Sequence, residues 1–242
     1  GAQLAPAQTP SKTGSSLRFS SGLRFDYFSR TADWADDSTT SKLRSSVGSV
    51  VLGIEFRPAF SLAAIVGYSS STFDGATFTK LPLSIDFEGG AINGLVFGGE
   101  ISGRLLTRPS LSLDLYGLFL SYTGTHKKWD IPGLAVSSTV EGSPSWRHAS
   151  VGPVFTFRAS RSFSPYLYPS FDSLRRTLSL KETIQTLTGE EKKDFRGKSV
   201  IGIALGANID PSSKFRVKAE AGFYPYKGGV DYSVMVKAAV SF

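Results

Sequence analysis

Apolar and polar residues alternate with a period of two over most of the chain. In residues 228–242, Val230, Tyr232, Val234, Val236, Ala238, Val240 and Phe242 share one face, and Asp231, Ser233, Met235, Lys237, Ala239 and Ser241 the other. Successive side chains of a β-strand point to opposite faces, so the pattern predicts a strand with one apolar side. Residues 15–30 repeat it, with Leu17, Phe19, Leu23, Phe25 and Tyr27 against Arg18, Ser20, Gly22, Arg24, Asp26 and Arg30. The same period marks residues 46–57, 60–72, 91–106, 111–124, 146–159, 163–176, 198–209 and 214–225, which makes ten strands. Pro165 and Pro169 each remove a ladder donor, so the strand over 163–176 is expected to be the weakest.

The connections sort by length. Tight turns are expected near Pro58, Pro109, Arg161 and Pro211, which stand 51, 52 and 50 residues apart. Between them lie the links 31–45, 73–90, 125–145 and 177–197, and a short one at 226–228. Asp74-Gly75, inside the second link, is a hairpin-turn signal. A single amphipathic strand fits a soluble sandwich as well as a membrane barrel. Short and long connections in strict alternation favour the barrel, whose periplasmic turns are short and whose extracellular loops are long. The expected fold is all-β: a ten-stranded antiparallel up-and-down transmembrane β-barrel over residues 15–242. Residues 1–14, small, polar and proline-containing, are expected to form a flexible periplasmic tail.

The polar face gathers Arg18, Arg24, Asp26, Glu55, Arg57, Glu100, Arg104, Asp114, Arg158, Arg216, Lys218, Glu220, Asp231 and Lys237. An Arg or Lys turned to lipid costs on the order of 2–4 kcal/mol near the bilayer midplane. This face is therefore expected to line the lumen, where opposite charges pair and glycines such as Gly22, Gly98 and Gly206 leave room for long side chains. Barrels of about eight strands are filled by their own side chains, and those of about 16–18 enclose an aqueous channel. Ten strands stand near the filled end, so the lumen is expected to be charged and partly plugged, or at most a narrow pore.

Composition changes this picture little. At 242 residues a single domain is expected. No run of 18 apolar residues occurs, which excludes a transmembrane helix, and a mean hydropathy of −0.04 is what a polar lumen at alternate positions produces. The chain has no cysteine, so disulfides and thiolate metal sites are excluded. It opens on Gly1-Ala2-Gln3-Leu4-Ala5-Pro6, without a basic and apolar leader, as expected of a mature exported form. The net charge is +7, but no nucleic-acid-binding pattern accompanies it, and the basic residues are expected in the lumen and beside anionic headgroups.

In architecture, and in its Val240-Ser241-Phe242 ending, the chain resembles the small outer-membrane β-barrels of bacteria: the OmpA-, OmpX- and OmpW-like barrels and the ten-stranded omptins. The resemblance covers residues 15–242. It implies a bacterial outer-membrane location, contact with outer-membrane lipids and lipopolysaccharide, no cofactor, and handling by the outer-membrane assembly machinery through the last strand. Val240 and Phe242 would be the assembly signal. The function expected first is a small porin-like channel or a structural barrel, without enzymatic chemistry. A loop-mediated adhesin or envelope-complex subunit comes second, and a lipid A-modifying or omptin-like enzyme third.

Three constellations carry candidate chemistry. His148 and Ser150 share a strand face and could pair as base and nucleophile. Lipid A deacylases resemble this, but they complete the pair with a Glu, and the next strand here offers only Asp172. Omptins place acids and a His–Asp pair at the rim; this chain has Asp33, Asp36, Asp37, Asp74 and Asp86 in predicted links, and His126 near Asp130. Trp34, Trp129, Trp146, Lys127-Lys128 and Arg175-Arg176 could reach lipopolysaccharide or a protein partner, although aromatics near strand ends more often form interface girdles. No metal triad, P-loop or dinucleotide fingerprint is present.

Overall fold

A computed structural model describes residues 17–34, 40–56, 60–83, 85–87, 90–130 and 138–242. The predicted tail, the turn at Pro58 and the lumen candidate Arg57 lie outside the described residues. The strands are β1 (Leu17–Trp34), β2 (Thr40–Phe56), β3 (Phe60–Asp74), β4 (Ala76–Phe78), β5 (Ile85–Phe87), β6 (Ala91–Thr107) and β7 (Leu111–Gly124). They continue as β8 (Lys127–Asp130), β9 (Ser138–Phe157), β10 (Phe163–Ile184), β11 (Leu187–Gly197), β12 (Ile201–Ile209), β13 (Phe215–Tyr226) and β14 (Gly229–Ser241).

Ten of them form a closed antiparallel ring in the order β10-β12-β13-β14-β1-β2-β3-β6-β7-β9, with β9 returning to β10. Closure leaves no open sheet edge, which is what lets strands stand in hydrocarbon with every backbone group paired. The seam joins the two ends of the chain, from Ser20 opposite Ser241 to Ser29 opposite Tyr232. Phe19 and Phe242 extend it by exchanging two backbone hydrogen bonds, of 3.2 and 3.0 Å.

The outer surface of the ring is an apolar belt that includes Leu23, Leu52, Val66, Leu95, Ile203 and Val236, all exposed. Phe56 and Phe60, with ring centroids 6.1 Å apart, sit at the lower border with Phe157, Phe163 and Phe215. Tyr27 and Tyr232, 6.0 Å apart, mark the upper border with Tyr68. Aromatic girdles at both edges of an apolar band are the signature of a membrane-spanning barrel.

Above the belt the polarity of the two faces exchanges. On β10 the outward residues after Phe171 are Ser173, Arg175, Thr177, Ser179 and Lys181, while the inward Leu174, Leu178 and Leu180 are buried. On β1 and β2 the inward Phe28, Ala32, Trp34, Leu43 and Val47 are likewise buried. Once the wall leaves lipid, water is outside and the interior becomes the dry side. Much of the predicted links 31–45, 125–145 and 177–197 is therefore strand, with the period intact and its phase reversed.

The ring also narrows. The β13–β14 hairpin ends early at Lys227-Gly228, where Gly228 takes a φ of 109° that suits glycine. β11, which continues β12, passes over this hairpin and pairs with β1 through Trp34 opposite Phe195. An eight-stranded collar of β11, β1, β2, β3, β6, β7, β9 and β10 thus stands on a ten-stranded base.

Two local expectations are corrected. Asp74-Gly75 does turn the chain, with φ of 77° at Gly75, but it leads inward to the short β4–β5 pair, and the neighbour of β3 is β6. The proline-bearing strand is the longest, at 22 residues. Its register with β9 is the same on both sides of a gap between Leu167 and Phe171, so Pro169 stands opposite Pro153 where the ladder lapses. Two residues that lack N–H face each other, and neither leaves a partner's donor stranded.

Candidate functional site in the barrel interior

The interior is built in layers. At the periplasmic end is an open polar cavity of about 430 Å³, lined among others by Glu55, Arg104, Asp114, Arg158, Arg216 and Lys218. Most of these charges are paired along or between strands: Arg104 with Asp114 at 2.8 Å, Arg216 with Asp210 at 2.7 Å, and Lys218 with Glu220 at 3.3 Å. Arg18 reaches the carbonyl of Ser213 at 3.5 Å.

The cavity has a charged floor. Arg24 donates to both oxygens of Asp26 at 2.7 Å and also binds Glu100, whose second oxygen accepts from Lys237 at 2.6 Å. The Tyr166 hydroxyl donates to Glu220 at 2.6 Å, and the Lys218 ammonium lies 4.9 Å from the ring centres of Tyr116 and Tyr166. Tyr166 can pass over β12 to β13 because Gly206, opposite it, has no side chain; a Cβ at Gly206 would run into its ring. Above the floor lies a void of about 40 Å³.

Next comes a buried network at the base of the collar. Arg30 donates to Asp172 at 2.6 Å, stands 3.9 Å from Asp231, and lies 3.7 Å over the ring of Tyr224. Asp231 accepts from the backbone N–H of Thr31 at 2.6 Å and from its hydroxyl at 2.8 Å. His148 Nε2 is 2.7 Å from the other oxygen of Asp172. Each carboxylate is met from several sides, as a charge removed from water requires.

The collar itself is filled. Trp146, 0% exposed, stacks on Tyr122 at 5.4 Å and meets the edge of Phe28 at 5.2 Å. Val51, Ile65, Phe73, Ile92, Val96, Leu120, Leu178 and Phe195 pack into the same core. From the outside the segment after Gly75 folds inward and adds Ala76, Phe78 and Leu81. It is held by Glu182, which accepts from the N–H of Leu83 at 2.9 Å, and by Glu191, which accepts from that of Lys80 at 2.7 Å.

The described members of the predicted lumen set all lie on the inward face, but they divide by height. Glu55, Arg104, Asp114, Arg158 and Arg216 line the open cavity, Arg18 lies near Ser213, Arg24, Asp26, Glu100, Lys218, Glu220 and Lys237 build the floor, and Asp231 belongs to the network above. Sequence reading did not single out Arg30 or Asp172 as partners, nor the collar core. The available signal was parity: Phe28, Arg30, Ala32 and Trp34 continue the inward positions of β1.

The other candidates fare differently. His148 and Ser150 both point inward, His148 toward Asp172 and Ser150 toward the hydroxyl of Tyr168 at 3.2 Å; no hydrogen bond joins them among the described residues. A void of about 40 Å³ adjoins them. At the rim Asp33 pairs with Lys198 at 3.0 Å, Asp74 with Arg44 at 2.8 Å, and His126 Nδ1 lies 2.7 Å from the Ser143 hydroxyl. Asp36 and Asp37, and the side chains of Asp86, Trp129 and Asp130, lie outside the described residues. The expectation that Trp34, Trp146 and Arg176 reach outward is corrected: all three are inward and buried, because their positions share the parity of the core. Arg176 has no hydrogen-bond partner among the described residues and lies 4.1 Å over the ring of Phe195. Lys128 does face outward; its hydrogen bond and charge hold the Glu141 carboxyl below the usual carboxylate range. Among the described residues no cluster of His, Asp and Glu is placed to hold a metal ion.

No protein-family model and no curated protein matches the chain. Several solved structures are similar in fold at low identity. OmpT, the outer membrane protease of Escherichia coli, is 12% identical with a TM-score of 0.47, over 97% of this chain and 99% of its own. Ail, the attachment invasion locus protein of Yersinia pestis, is 11% identical with a TM-score of 0.37, over 93% and 97%. The translocator domain of the autotransporter NalP from Neisseria meningitidis is 14% identical with a TM-score of 0.36, over 96% and 90%. By its closed ring of ten antiparallel strands, its outward apolar belt and its paired aromatic girdles, this chain is an outer-membrane β-barrel of the bacterial type.

Proposed function

We propose that this barrel is a closed, non-conducting scaffold. Its interior serves stability, and its working surface is the extracellular collar, through which it engages a component of the envelope or of another surface without enzymatic chemistry. The observation that carries this reading is the apolar core of the collar, with Trp146, Tyr122, Phe28 and Phe73 buried inside the ring. A water-filled path would have to displace that core and then the Arg30–Asp172 network beneath it. Such a path would also strand the buried charges of the network without their partners.

The test is planar-bilayer recording with the purified, refolded barrel. A steady baseline free of unitary steps is expected over a range of applied potential. Reproducible steps from the wild-type chain would overturn the reading in favour of a porin-like channel, for which the open periplasmic cavity is the supporting observation.

A further inference from the structure

We propose that Arg147, Arg175 and Arg196 form a binding site for the phosphate groups of a lipopolysaccharide molecule seated against the outer wall of the barrel. The proposal rests on the collar being the extracellular end. The three arginines are neighbours in register across β9, β10 and β11, with Arg175 opposite both Arg147 and Arg196. All three are exposed on the outward face. Adjacent strands lie about 4.8 Å apart, so the row is roughly 10 Å wide.

Like charges placed directly opposite one another repel. Among the described residues none of the three makes an ion pair or hydrogen bond that would offset this. Three other cations around the collar are matched: Arg44 by Asp74 at 2.8 Å, Lys128 by Glu141 at 2.6 Å, Lys198 by Asp33 at 3.0 Å. Two carboxylates border the row. Asp33 stands opposite Arg196 but is held by Lys198, and Asp194 accepts from the Thr177 hydroxyl at 2.6 Å.

The position selects the ligand. Directly below the row, Val151, Phe171, Val200 and Ile201 are exposed apolar residues of the upper belt. Arg175 lies four residues above Phe171, about 13 Å along the strand, so the guanidinium groups stand where hydrocarbon gives way to headgroups. Between them Ser173 projects on β10 and Ala149 on β9, while on the β11 side Lys198 projects and is held by Asp33. Acyl chains would lie on the apolar patch while phosphates take paired N–H donors from the planar guanidinium forks, a geometry that suits Arg better than Lys. An amphiphile with phosphates at its head satisfies both halves of the surface at once.

The experiment measures lipid retained by the refolded barrel after incubation with purified lipopolysaccharide and gel filtration. The wild type is expected to retain it. The variant Arg147→Gln/Arg175→Gln/Arg196→Gln is expected to lose about tenfold or more in affinity, the worth of at least one hydrogen bond to a charged group. Lys42→Gln/Arg44→Gln, on β2, is expected to bind as the wild type does. Equal binding by the triple variant, or an equal loss in the β2 variant, would overturn the site. So would equal retention of phosphatidylglycerol by the wild type, which would show a general anion surface instead. Heat-modifiable mobility on gels reports folding; should the triple variant fail to fold, Arg175→Gln alone carries the test through the same retention assay. The chain has no cysteine, so Arg196→Cys can be labelled on intact cells with a membrane-impermeant maleimide. Labelling supports the extracellular placement, and its absence would overturn that placement separately from the retention result.

Discussion

Arg30 and Asp172 meet at 2.6 Å at the level where the ten-stranded base gives way to the eight-stranded collar. Both are buried, and Asp172 also holds His148 while Arg30 covers Tyr224. Removing one partner of such a pair leaves a charge without compensation and is expected to cost about 3–5 kcal/mol. Asp172→Asn should therefore lower the urea midpoint of unfolding in lipid vesicles, followed by tryptophan fluorescence. Arg30→Met/Asp172→Leu, which removes both charges, should recover much of the loss. A double variant as unstable as the single one would show that packing, and not the charge, holds this layer.

Trp146 is the largest of the fully buried side chains and the centre of the collar core. Truncating a buried Trp commonly costs about 3–5 kcal/mol. Trp146→Ala should lower stability by that order in the same titration, and Trp146→Phe by clearly less. If the collar were a mobile lid and not part of the folded core, neither change would register.

Gly206 lies under the ring of Tyr166, whose hydroxyl passes over β12 to Glu220 on β13. Gly206→Val should push Tyr166 aside and break that bond. The expected outcome is a smaller yield of the heat-modifiable folded form after refolding. Gly48, where an added Cβ would meet nothing within 4 Å, is the control, and Gly48→Ala should refold as the wild type does.

Phe242 closes the seam by exchanging backbone hydrogen bonds with Phe19, and its ring is exposed to the lower edge of the belt. Deleting Phe242 removes both bonds and the terminal aromatic. Insertion into the outer membrane should slow, read as delayed appearance of the heat-modifiable form in a pulse–chase. A normal rate would sink the assembly-signal reading of Val240 and Phe242.

Much of the base was legible in the sequence because lipid imposes one rule at every second position. Leu23, Leu52, Val66 and Val236 had to face outward, and Arg24, Glu100 and Lys237 had to face inward, whatever the rest of the chain did. The collar was not legible in the same way. Its strands keep the period of two, yet their apolar residues point inward, and a local pattern does not carry the height at which lipid gives way to water. Leu178 and Leu180 thus read as part of a charged link although they are core.

Strand count, alternating connections and the two faces of the base were determined by the sequence itself, since each depends on neighbours within one strand or hairpin. Only the tertiary structure decided that β11 passes over the last hairpin to reach β1, that Arg30 meets a carboxylate 142 residues away, and that Arg147, Arg175 and Arg196 fall in one row. Those relationships depend on ring closure and register between distant strands, which fix which inward charges pair and which outward charges are left facing the membrane surface.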